Sequence, residues 1–533
     1  HDARAMDPGG QVARRLGFAA GTTLSNPEGE VVALLDRLPE AVKRAVQAGE
    51  VFQSPAPVRM PRVGMKRGPR SGPSPALKDI RQELDKIEKQ VQAKIAASAR
   101  TDLATAETIV VSREALTKLY GGATAETILT EVKALAAAVS SSDAARPHVI
   151  VLDDAATLTP WKLDRVDPTN AAAVKGLLDR LDEKMELSGE RLGYVLLVGG
   201  HEVVPHHRLP NPVDDHDMDV PSDNPYAARG DNYLIPTRAV GRLPHEHGSP
   251  DLLLEQLRRL QGDWRESATM GKGIISDWLS QFKQLMPGGR RTLTEGESWG
   301  MAAQVWEKAA KAVYRTLDSA TDLSLSPPDT STKWEGQPVP SVPFYYFNLH
   351  GVEDGASWYG QVDPKNPKGG ESFPVALTPK QLQALNLRRA ILLSEACYGL
   401  NPHITRIGDS MALTAVKQGS ALFIGSTKTA YASFAPPLMA ADLLAALFWR
   451  AIAEGATGGV ALQQAKVQLA ETMMHRTGYL DVEEQKTLTS FILYGDPALP
   501  LLRRPSHAST EALNQLAAKT RKSGVYQVAA KGR

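Results

Sequence analysis

From about residue 105 to 503 the chain alternates short apolar runs with longer amphipathic stretches. The runs are TIVV (108–111), HVIVL (148–152), YVLLVGG (194–200), GIIS (273–276), FYYFNL (344–349), AILLSE (390–395) and ALFIG (421–425). Continuous apolar runs of this length suit strands that helices cover on both faces. Between them, 125–139, 171–187, 299–317 and 439–453 read as helices. The alternation predicts an α/β layered domain with a largely parallel sheet.

The pattern upstream is different. Residues 1–53 contain EVVALLDRLPEAVKRAVQAGE, an amphipathic helix broken or kinked at Pro39. Residues 54–75 carry six prolines, five Lys/Arg and no acid, which reads as an exposed, extended tether. A protease-accessible processing segment is the sharper reading of the same stretch. In 76–100, Leu77, Ile80, Leu84, Ile87, Val91 and Ile95 recur at spacings of three and four. That predicts an amphipathic helix that covers the main domain or pairs with a partner. Residues 506–533 read as a peripheral tail.

Composition narrows the function. With 61 basic against 60 acidic residues, nothing in the charge balance points to nucleic acid or an anionic membrane. No apolar run approaches the length of about 18 residues that a membrane span needs. A single cysteine, Cys397, forms no internal disulfide. The expectation is therefore a cytoplasmic protein, with secretion left open because the sequence starts at HDARAMD.

Two predicted strand ends bear reactive groups. FYYFNLHG ends in His350 and Gly351, and AILLSEACYG ends in Cys397. Sites in open α/β sheets form at the carboxyl ends of strands. A neighbouring imidazole activates a thiol, and unobstructed backbone N–H groups, here of Gly351 and Cys397, stabilise an oxyanion. Asp277, just past GIIS, is the candidate to orient the base. A lone cysteine is also a common core residue, and strand adjacency is not visible in a sequence. Elsewhere, HEVVPHH (201–207) fails the metalloprotease helix pattern, since its second histidine falls at i+5 with Pro205 between, and it reads as a loop. DDHDMD (214–219) reads as a solvated acidic loop, with Ca²⁺ as the alternative.

Taken in order, LLVGGHEVVP, SDNPYA, LIPTRAVGRLP, NLHG with Trp358 downstream, SEACYG, ALFIGSTKTAYASF and FILYGDPALPLL resemble the gingipain family of cysteine peptidases, within the caspase-like group. The resemblance implies a caspase-like three-layer α/β/α sandwich with a mostly parallel sheet and two subdomains, 101–265 and 266–505, behind the helical N-terminal extension. It implies His350 as catalytic histidine, Cys397 as nucleophile, the Gly351 and Cys397 amides as oxyanion hole and Asp277 as the acidic partner. Tyr431 and Trp358 would lie on the substrate side. Trp299 stands where arginine-specific members carry a pocket aspartate, with Glu295 and Glu297 nearby, so cleavage after Arg or Lys is expected. No cofactor is implied. Arg67, Arg70, Arg290 and Arg291 are candidate self-processing points of a zymogen, and residues 1–100 a docking region for an activating partner. The rivals are an interaction module with a peptidase-derived core, and a Cys/His amidase or transpeptidase on other substrates.

Overall fold

The apolar runs form the spine of one sheet. The computed structural model describes residues 103–142, 144–270, 298–317, 322–336, 339–365 and 371–500. The N-terminal helices and linker, GIIS with Asp277, Glu295, Glu297, the four processing arginines and the tail lie outside these residues. The strands are β1 (Ala104–Val111), β2 (Arg146–Val151), β3 (Glu190–Val198), β4 (His207–Pro210), β5 (Asp219–Ser222), β6 (Ala239–Leu243), β7 (Ser298–Ala303), β8 (Ser324–Ser326), β9 (Phe344–Asn348), β10 (Trp358–Tyr359), β11 (Val375–Leu377), β12 (Ile391–Ser394), β13 (Leu422–Ser426) and β14 (Phe491–Gly495). Ten of them make one sheet in the order β2-β1-β3-β6-β14-β13-β12-β9-β7-β8. β4 and β5, and β10 and β11, pair as separate antiparallel ribbons.

The sheet has two senses. β2, β1, β3, β6 and β14 run parallel to their neighbours, as do β13, β12, β9, β7 and β8. β14 is antiparallel to β13, so the two groups run in opposite directions. The carboxyl ends of β9 and β12 therefore share an edge with the start of β6. The chain between β3 and β6 must return to that edge, and it passes the ends of β12 and β13. Next to the junction of the two groups, between β6 and β14, a Cβ on Gly241 would lie 2.4 Å from the carbonyl oxygen of Gly495. Only glycine permits that approach.

Period-two alternation sorts the side chains into two apolar layers. Phe344, Tyr346, Ile391, Leu393, Leu422 and Ile424 pack in one, with the helices Ala440–Ala453 and Gly458–Thr477. Tyr345, Phe347, Leu392 and Phe423 pack in the other, with the helix Met411–Lys417. The sheet thus lies between helical layers, an α/β/α sandwich.

The predicted helices 125–139 and 171–187 fall within helices of the fold, at Gly122–Ser140 and Ala171–Leu187, and 439–453 matches Ala440–Ala453 with Met439 as its N-cap. The stretch 299–317 needs correction. Its first residues form β7, and the helix begins only at Glu307. SWGMAA is buried throughout, and Gly300 leaves room for Leu323 and Tyr314. Burial on both faces overrode the helical pattern.

Candidate active site

β9 and β12 are adjacent and parallel, with Ser394 opposite Phe347. His350 and Cys397 follow those paired residues by three positions each. The expected meeting of the two strand ends is thus built into the register. Gly351 packs directly on the cysteine: a Cβ there would lie 2.0 Å from the Cys397 carbonyl oxygen.

Parity decides which side chains lie beneath. Tyr346 and Asn348 on β9 face the same layer as Glu395 after β12. The Tyr346 hydroxyl donates to Glu395 at 2.7 Å, and the Asn348 amide donates to Asp442 at 3.0 Å. Cys397 continues into the same apolar layer.

The imidazole is fully buried. Its Nε2–H donates to Gln361 Oε1 at 2.8 Å, which leaves Nδ1 as the basic nitrogen. Trp306 lies 4.3 Å from the ring and Phe373 lies 5.7 Å away, centre to centre. Burial holds the His350 pKa down to about 3, against a small upward pull from Gln361. Backbone bonds fix the ring's segment, since His350 and Tyr359 exchange both N–H···O contacts at 2.9 Å. Gln361 is held in turn, with its N–H on the Ser326 carbonyl and its carbonyl accepting from Val305. Gln361 thus holds one ring nitrogen of His350, while Asp277, the candidate to orient the base, lies outside the described residues. Gln361 sits in GQVDPKNPKGGES, a stretch with no signal beyond polarity.

Cys397 is 6% exposed, and Ala430 holds its sulfur. The sulfur accepts from the Ala430 N–H at 3.4 Å and its S–H points to the Ala430 carbonyl at 3.6 Å. Burial pushes the thiol up to about 12, and nearby Asp217 and Asp215 add to this while Lys486 opposes it. At neutral pH the resting pair is therefore an uncharged imidazole and an uncharged thiol.

The acidic stretch 214–219 is not a solvated loop. Asp215 and Asp217 are buried beside the thiol's neighbours, each 2.6 Å from the Lys486 ammonium. That ammonium occupies the place a cation would take. Calcium needs six to eight oxygens, and among the described residues no group of three or more His, Cys, Asp or Glu could hold a metal ion. HEVVPHH is a turn leading into β4, in which His206 pairs with Asp223.

The remaining candidates separate. Tyr431 is close, one residue past Ala430, and its hydroxyl donates to Asp215 at 2.5 Å. Trp299 and Trp358 belong to the core. Trp299 packs edge-on against Trp334, Tyr345 and Phe347, and Trp358 packs against Phe347 and Phe423. Both tryptophans are buried on the layer of the sheet opposite Cys397.

Comparison with known proteins gives three findings. No curated protein sequence matches the chain. Its fold is similar to that of the Arg-specific cysteine proteinase gingipain R, with 16% identity and a TM-score of 0.46 over 74% of this chain and 78% of that one. It is similar to the complex of the Porphyromonas gingivalis RgpB pro- and mature domains, at 15% identity and TM-score 0.46 over 74% and 79%. It is similar also to the Saccharomyces cerevisiae separase–securin complex, at 10% identity and TM-score 0.29 over 60% and 17%. The model of peptidase family C25 matches residues 341–502, which span β9, β12, β13 and β14. The segment that carries both His350 and Cys397 is thus the part of the chain that matches the model of peptidase family C25.

Proposed function

We propose that this cysteine peptidase acts through Cys397 and His350 as an endopeptidase with a thioester intermediate. The observation that carries the reading is the placement of both residues at the carboxyl ends of the adjacent parallel strands β9 and β12, within the family C25 segment. Cys397 Sγ attacks the carbonyl carbon of the scissile bond as its proton passes to His350 Nδ1. The oxyanion lies against the Gly351 and Cys397 N–H groups. The imidazolium gives its proton to the leaving amine, and the C–N bond breaks. His350 then takes a proton from water, which displaces the thiolate and regenerates the thiol.

The uncharged resting pair shapes this route. A standing thiolate–imidazolium pair is disfavoured by burial, so proton transfer accompanies attack once substrate fills the cleft. Cys397→Ala should abolish peptide cleavage while leaving circular dichroism and thermal midpoint near those of the parent. Undiminished cleavage by that variant removes the assignment.

The residue preceding the cleaved bond is proposed to be Arg or Lys. Trp299 is turned into the core, so the acidic candidates are Glu295 and Glu297, immediately before β7 in the sequence. A positional peptide library, read against Cys397→Ala, tests this. Lack of preference for basic residues overturns it. With that preference, Arg67, Arg70, Arg290 and Arg291 are proposed self-processing points. An intact N-terminus and an uncut 290–291 bond in fully active enzyme would overturn that step.

A further inference from the structure

The residue after the candidate nucleophile is held in an uncommon conformation. Tyr398 has φ 55°, the left-handed region that side chains with a Cβ rarely adopt. Such a backbone persists only where its surroundings over-determine it. Three bonds do so. The Tyr398 N–H donates to the Lys428 carbonyl at 3.0 Å. The Tyr398 hydroxyl donates to Asp217 Oδ1 at 2.5 Å, and it accepts from His216 Nε2–H at 2.5 Å.

Asp217 also grips the other side of the sulfur. Its Oδ2 accepts from the Thr429 N–H at 3.0 Å and from Lys486 Nζ at 2.6 Å. Thr429 precedes Ala430, whose N–H and carbonyl both meet the Cys397 sulfur. One carboxylate, on the connection between β3 and β6, therefore ties together the two chain segments that flank the thiol.

We propose that Asp217 is a positioning residue for Cys397: by pinning left-handed Tyr398 and the Thr429–Ala430 segment, it sets the direction of the sulfur. The proposal deepens the reading of Cys397 as nucleophile and rests on it. Asp217 works only as an anion, because its two oxygens must accept three donors at once. Burial disfavours that anion, but the Lys486 ammonium and the hydrogen bonds from Lys486 and Tyr398 outweigh burial and hold the pKa at about 2. Asp215 shares Lys486, so removing the Asp217 charge does not leave the ammonium unpaired.

Cys397 is the only cysteine of the 533 residues, so iodoacetamide reports on this sulfur alone. Asp217→Asn and Tyr398→Phe loosen the same contact from its two ends. Each should raise the alkylation rate at neutral pH by about threefold or more, because the sulfur gains access and loses a nearby negative charge or its anchor. Each should lower kcat by about tenfold or more with KM little changed, because misdirection costs attack geometry and not substrate binding. The double variant should be no worse than Asp217→Asn alone. A change that only weakened the fold would not move alkylation up and kcat down while sparing KM. An alkylation rate within about twofold of the parent in folded Tyr398→Phe overturns the proposal. Asp217→Asn adds a second, independent decision if it folds. A parent without Cys397-dependent cleavage would remove the peptidase reading instead, and the alkylation comparison would still decide the clamp.

Discussion

Gly351 and Gln361 show how single residues make a thiol and an imidazole usable. At Gly351 the nearest atoms to a new Cβ are backbone, 2.0 Å to the Cys397 oxygen and 3.2 Å to its carbonyl carbon. Neither can give without moving the nucleophile. Gly351→Ala should therefore destabilise the fold by about 1–3 kcal/mol and cut kcat/KM far more than that loss explains, measured by denaturant titration beside a peptide assay. Gln361 tests the base. Replacing it by Glu puts a carboxylate 2.8 Å from Nε2 in a buried site. The imidazolium is then favoured and the low pKa of His350, about 3 in the parent, rises. The acidic limb of the kcat/KM profile should move to higher pH in Gln361→Glu. A profile that superimposes on the parent's would show that His350 is not the titrating base.

At the scale of elements, a buried carboxyl pair fastens β9 and β12 to a helix. Glu395 follows β12, and Asp442 lies in the first turn of the helix Ala440–Ala453. Tyr346 and Asn348 of β9 bond to them, and the Ser433 N–H donates to Asp442. Burial, reinforced by Asp442, pushes Glu395 well above the usual carboxyl range, which favours its neutral form. A neutral glutamic acid is closely mimicked by glutamine. Glu395→Gln should therefore stay within about 1 kcal/mol of the parent, while Glu395→Ala should lose about 2–4 kcal/mol by leaving the buried Tyr346 hydroxyl without its acceptor. Equal losses from the two substitutions would mean that Glu395 is ionised.

Across the whole molecule, buried histidines couple the fold to pH. Burial holds His350 at about 3 and His206 at about 4, below the unfolded value of about 6.5. Below pH about 6.5 the unfolded chain binds protons that the native state refuses. Stability from these groups is thus complete above that pH and is lost as pH falls toward the folded values. Buried carboxyls such as Asp442, held up at about 7, bind protons in the native state and act in the opposite sense. The difference between variants isolates one group. The stability gap between the parent and His350→Gln should shift against the parent by about 2 kcal/mol on going from pH 6.5 to pH 5. A constant gap would place the imidazole in contact with solvent.

Much of this was legible in the chain alone. Apolar runs located β9, β12 and β13, because strands covered on both faces admit few polar residues. The sequence also marked His350, Gly351 and Cys397, because each ends such a run with a group that packing alone does not require. β7 reads as helix in the sequence, because SWGMAA contains no β-branched residue; burial made the choice. Tertiary structure alone decided the partners. Gln361 reaches His350 from a loop without a signature. Asp215 and Asp217 look like solvated charges in the sequence, but Lys486, more than 260 positions on, bridges both. That meeting exists because β14 runs against β13 and turns two half-sheets toward one edge. Periodicity is a local property that the chain carries in its order of residues; which distant charges share a buried volume is settled only when the strands pair.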